Sequence, residues 1–138
     1  MKYKYLIFIC LITFGFAACK KEDSYPKKIV GNWSPGDTRR QLVKNGVTTY
    51  DSTFVFSEPA YIYLTFNSDG SGKYSQRIPF NYKIVNNKLM LERLIDNAYM
   101  ERDTFTIAKI SDAEMILHWD VPFEGQRFVE DRHYNRFK

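Results

Sequence analysis

Turn signals recur along this chain at intervals that suit strands and leave little room for helices. Asn45-Gly46, Asn67-Ser68-Asp69-Gly70-Ser71-Gly72, Asn86-Asn87 and Ser111-Asp112-Ala113 each separate two apolar-rich runs. Asn-Gly is the strongest two-residue hairpin signal, because both residues accept positive φ. Between the turns, side chains alternate with period two: Ile62, Leu64 and Phe66 share one face, as do Phe80, Tyr82 and Ile84, and Phe105 and Ile107. From Ile29 onward no ten-residue stretch places apolar residues at helical spacing. Aromatic content is 17%, with 11 Phe, 10 Tyr and 2 Trp, which favours strands and supplies large buried area. The pattern predicts an all-β fold, a single antiparallel meander of about eight strands. A long meander exposes two unpaired edges unless it closes on itself, so closure into a barrel is expected.

The N-terminus carries a different message. Lys2 and Lys4 precede an apolar run from Tyr5 to Phe16, and Ala17 and Ala18 lead into Cys19. A basic start, a short apolar stretch and small residues make a secretory signal. The run falls short of the ~20 residues a membrane-spanning helix needs. With Cys19 directly after the small residues, the segment resembles a bacterial lipoprotein signal. That resemblance implies cleavage before Cys19, diacylglycerol on its thiol, and a home on the outer membrane, at its periplasmic face or the cell surface. Residues 1–18 then form the signal, residues 19–28 a polar tether, and residues 29–138 the barrel domain. Glu22 and Asp23 resemble the export signal of surface lipoproteins in Bacteroidetes-type bacteria. Removing residues 1–18 leaves 120 residues, enough for one core. Cys10 is lost with the signal and Cys19 is committed to lipid, which excludes an internal disulfide and a cysteine metal site. The remaining 18 basic and 16 acidic side chains give a net +2, too little for a nucleic-acid partner.

Ile29-Val30-Gly31-Asn32-Trp33 stands at the entrance to the first strand. Together with Tyr63-Leu64-Thr65-Phe66, the Asp69-Gly70 hairpin, Phe80-Asn81-Tyr82-Lys83-Ile84 and Asn87-Lys88-Leu89, this order resembles small bacterial lipocalin-like lipoproteins. The likeness covers most of residues 29–137. It implies that Trp33 closes one end of the barrel beneath a basic residue from the last strand, with Arg136 the first candidate and Arg132 the second.

No catalytic constellation emerges. His118 and His133 fall in separate strands, and His118 alternates with Leu117 and Trp119 in a way that points it to solvent. Asn67, Asp69 and Ser71 alternate like the start of a calcium loop but lack its closing glutamate, so a hairpin turn explains them better. Glu92, Arg93, Glu101, Arg102 and Asp103 read as cross-strand ion pairs on a solvated outer face, since buried charges are costly unless paired. An enzyme is therefore not expected, and neither metal nor cofactor is implied. The expectation is a lipid-anchored envelope barrel that binds a small hydrophobic ligand, with Phe66, Tyr82, Phe105 and Trp119 lining its cavity. The alternative is a filled barrel that serves as an interaction or structural module. Its partner, another envelope protein, would dock on exposed aromatics such as Tyr50, Phe54, Phe56 and Tyr61.

Overall fold

The structure is a computed structural model, and it describes residues 25–55, 63–75, 77–95 and 99–137. Cys19, Phe56 and Tyr61 lie outside the described residues. A short helix, α1 (Tyr25–Ile29), leads into nine strands: β1 (Gly31–Lys44), β2 (Val47–Val55), β3 (Leu64–Phe66), β4 (Ser71–Tyr74), β5 (Ile78–Val85), β6 (Lys88–Ile95), β7 (Tyr99–Ile110), β8 (Glu114–Phe123) and β9 (Gln126–Phe137). The strands follow the order β2-β1-β3-β4-β5-β6-β7-β8-β9, every pair antiparallel, and β9 returns to pair with β1. An eight-stranded barrel therefore closes, with β2 as an extra strand. The arrangement is possible because β1 is long: residues 31–33 pair with β3, and residues 37–44 pair with β2. The expected meander is present and its first edge is removed by closure.

Local chemistry sets the turns. Asn45 (φ 52°) and Gly46 (φ 78°) both take positive φ between β1 and β2, the conformation that matches the strands' right-handed twist. Glu124 (φ 47°) and Gly125 (φ 74°) do the same between β8 and β9. That hairpin was not legible beforehand, since glutamate has no special liking for the left-handed region. Asp69 Oδ1 accepts hydrogen bonds from the Ser71 amide (2.9 Å) and hydroxyl (2.6 Å), so the calcium-like alternation is a self-satisfied hairpin turn. The serine bonds hold the Asp69 carboxyl below its usual range.

Inward-facing residues form one core: Trp33, Leu64, Phe66, Phe80, Leu89, Phe105, Ile107, Met115, Leu117 and Tyr134 are buried around Ile29. Gly72 lets β4 approach it. A Cβ there would lie 2.3 Å from the Phe80 ring and 2.5 Å from the Thr65 carbonyl oxygen. The sequence reads residues 19–28 as tether, yet Tyr25 packs on the core and Ile29 at the end of α1 is fully buried. Residues 25–28 are thus part of the folded end, because apolar side chains at both ends of the helical turn outweigh Pro26, Lys27 and Lys28.

Trp33 closes that end. Its indole N–H donates to the Ile29 carbonyl at 2.7 Å, and Arg136 lies over its ring, with Cζ 4.4 Å from the centroid. Arg136 also donates to the Val30 carbonyl (2.8 Å) and the Lys28 carbonyl, tying the helical turn to the last strand. Arg136, the first candidate, makes this contact, whereas Arg132 lies over Phe105 and Trp119.

Candidate functional site

Above the plug, the inner face changes character. Antiparallel register places opposed residues on the same face, so each inward position can be followed around the wall. Along β9 the inward column runs Arg136, Tyr134, Arg132, Glu130 and Phe128, opposite Trp33, Pro35, Thr38, Arg40 and Leu42 of β1. The step from Pro35 to Thr38 is irregular, with one extra residue on β1, which lets Thr38 continue the inward row. Across the barrel, Leu91 and Arg93 of β6 face Asp103 and Glu101 of β7. The inner wall is therefore apolar near Trp33 and ionic farther along.

A cavity of about 230 Å³ lies where the two zones meet. Its apolar floor and sides come from Leu64, Phe80, Leu91, Phe105, Leu117 and Trp119, and its polar wall from Tyr74, Arg93, Glu101, Asp103, Arg132 and Tyr134. A second space of about 180 Å³ adjoins it and shares Tyr74, Arg132 and Tyr134, adding Thr38, Arg40 and Glu130 to the polar side. The side chains of Arg93, Glu101 and Asp103 keep 28%, 31% and 31% exposure, so this end reaches solvent.

Each guanidinium lining these two spaces is held by a carboxylate at its edge and an aromatic ring on its face. Arg132 pairs with Glu130 and stands 5.1 Å from the Phe105 centroid and 5.8 Å from that of Trp119. Arg40 reaches the other Glu130 oxygen at 2.5 Å and lies over Phe54. Arg93 pairs with Glu101, comes within 3.9 Å of Asp103, and lies over Tyr74. Stacking of this kind fixes a guanidinium plane and orients its donors. The Glu101 hydrogen bond is the largest influence on Arg93 and holds its guanidinium above its ordinary range.

The structure divides the residues expected to line a cavity. Phe105 and Trp119 do line it. Phe66 is instead sealed in the plug, with edge contacts to Phe80 and Tyr82. Tyr82 donates from its hydroxyl to the Asn67 carbonyl at 2.6 Å and borders a separate groove with Asn81, Lys83, Met90 and Glu92. Alternation identifies the inward face but not the height along the barrel, and Phe66 sits opposite Gly31 at the closed end. The strand charges also divide. Glu92 and Arg102 pair on the outer face as expected, whereas Arg93, Glu101 and Asp103 line the cavity. A signal for this was available: Glu101 and Asp103 share parity with Phe105 and Ile107, and Arg93 shares it with Leu89 and Leu91. Arg132 likewise shares parity with Tyr134 and Arg136.

His118 and His133 each face a different carboxylate. His118 Nδ1 lies 2.7 Å from Asp131, and His133 Nδ1 lies 3.2 Å from Asp37. Among the described residues no cluster of three or more His, Cys, Asp or Glu side chains is placed to hold a metal ion. No helix among them is long and apolar enough to cross a membrane.

Tyr134, at the junction of core and cavity, has its phenol pushed up to about 12. Burial is the main cause, partly opposed by the nearby Arg132 charge. An unfolded tyrosine titrates near pH 10, so between about pH 10 and 12 the unfolded chain releases a proton that the folded chain keeps. Stability is then complete below about pH 10 and falls by about 3 kcal/mol as pH rises to about 12. Urea midpoints measured across this range should fall more steeply for the wild type than for Tyr134→Phe. Equal slopes would contradict the assignment.

The closed antiparallel barrel, its end plugged by Trp33 beneath Arg136 and its interior open beyond, is a lipocalin-like fold. Among solved structures the chain is similar to a lipocalin-like protein from Bacteroides uniformis, at 13% identity over 80% of this chain and 99% of that one, with a TM-score of 0.47. It is also similar to an uncharacterized protein from Bacteroides eggerthii, at 16% identity over 79% of this chain and 99% of that one, with a TM-score of 0.38. No family model matches the chain, and no curated protein matches it.

Proposed function

We propose that this chain is a lipid-anchored binding protein of the cell envelope whose barrel takes up one small molecule and performs no catalysis. The observation that carries the reading is the cavity of about 230 Å³ with an apolar floor and an ionic, solvent-reaching wall. Ligand pockets commonly enclose ~300–1,000 Å³, so the fitting molecule is small, with an apolar body and a polar head. A long acyl chain does not fit this volume. The sequence supports mooring through Cys19 to the outer membrane, with residues 19–24 as spacer.

A second reading is supported by β2, where Val47, Tyr50, Phe54 and Val55 keep 65%, 44%, 40% and 77% exposure. There the barrel would serve to present an aromatic surface to an envelope partner. Native mass spectrometry of the full chain against a library of small amphipathic molecules separates the two. One-to-one complexes that disappear in Leu91→Trp, which fills the cavity wall, are expected. A library without binders, together with a stoichiometric protein partner recovered from membranes and lost in Tyr50→Ser, would favour the second reading. Cys19→Ser is expected to move the protein out of the membrane fraction.

A further inference from the structure

The charges around the cavity are balanced in number but not in place. On the β1–β9 wall, Arg40 and Arg132 share one carboxylate, Glu130, whose side chain is only 2% exposed. Two positive charges against one negative leave that wall electropositive. On the β6–β7 wall the ratio is reversed: Arg93 alone faces Glu101 and Asp103. Asp103 is the looser of the two, at 3.9 Å from the guanidinium. Tyr74 stands between the walls, and its phenol feels Arg132 and Glu130 from one and Arg93 and Asp103 from the other. The two poles are therefore close enough to act on one small molecule. A ligand with a single charge would meet one attractive and one repulsive wall, and a neutral one would strip water from both without replacing it.

Taking the cavity as a small-molecule site, we infer that its ligand is a zwitterion, an amino acid with a compact apolar side chain. Its ammonium faces Asp103 and Glu101, its carboxylate faces Arg132, and its side chain descends past Trp119 onto the apolar floor. Arginine suits the carboxylate because its planar fork offers paired donors, while the ammonium suits the less committed carboxylate opposite. The Phe105 ring holds Arg132 in place before the ligand arrives, and Arg93, itself stacked on Tyr74, holds Glu101.

Isothermal titration of the full chain with four probes tests this: phenylalanine, phenylalaninamide (cation only), N-acetylphenylalanine (anion only) and 2-phenylethanol (neutral). Phenylalanine is expected to bind at least about tenfold more tightly than each of the others, the scale of one unmade charged hydrogen bond. Asp103→Asn, at a half-exposed position with a distant partner, should keep the fold and weaken phenylalanine and phenylalaninamide but not N-acetylphenylalanine. Binding of 2-phenylethanol as tight as that of phenylalanine would overturn the zwitterion while leaving a small-molecule barrel intact. Failure of all four probes overturns it as well, and only a library without binders would remove the underlying reading too.

Discussion

Replacing Trp33 with alanine is expected to lower unfolding free energy by about 3–5 kcal/mol, the range for truncating a buried indole in a core that cannot collapse. Trp33 is 0% exposed and has Arg136 over its ring at 4.4 Å. Three losses coincide in the variant. The indole volume becomes a cavity, the Ile29 carbonyl loses its donor, and the guanidinium loses the aromatic face it was desolvated against. Domains of this size are stable by only ~5–15 kcal/mol, so the variant stands close to unfolding. Trp119 provides the internal contrast. It is half-buried on the cavity wall, and Trp119→Ala should change what the cavity accepts at a smaller cost to stability. Chemical denaturation of the two variants should rank them in that order, and equal losses would mean that Trp33 is no plug.

Glu130→Gln is expected to cost about 2–3 kcal/mol, read as a lower urea midpoint at unchanged slope. Removing one partner of a fully buried pair costs ~3–5 kcal/mol, and the smaller figure reflects solvent that still reaches the arginines. Arg40 and Arg132 keep 43% and 30% side-chain exposure, against 2% for Glu130. The glutamine would keep the shape but leave two guanidiniums facing each other without a counter-charge. Because the harm comes from an orphaned charge, the double variant Glu130→Gln with Arg132→Met should lose less than the two single losses added together. Strict additivity would show that Glu130 does not hold the two arginines as a unit.

The barrel was legible because two signals agreed: period-two alternation named the strands, and Asn45-Gly46, Asp69-Gly70 and Asn86-Asn87 named their reversals. Closure followed from the cost of open edges rather than from any motif. The extra strand β2 was harder to foresee, since a hairpin gives no hint that the ring bypasses its second arm. For the site, parity places Phe105 and Trp119 on the cavity wall, while Phe66 lies below it at the closed end, because parity is silent about height. Arg93, Glu101 and Asp103 carried the inward parity of their strands, yet the general expense of burying charge argued them outward. That cost is met here by mutual pairing and partial solvation, conditions set by strands far apart in sequence.

A plugged floor lies beneath an accessible ionic cup, and the two indole N–H groups report on each part separately. In a nitrogen-15 correlation spectrum of the full chain, every small molecule retained by the barrel should shift the Trp119 indole signal and leave that of Trp33, bonded to the Ile29 carbonyl at 2.7 Å, in place. Binding that leaves the Trp119 signal unmoved and shifts only the amides of β2 would contradict the account.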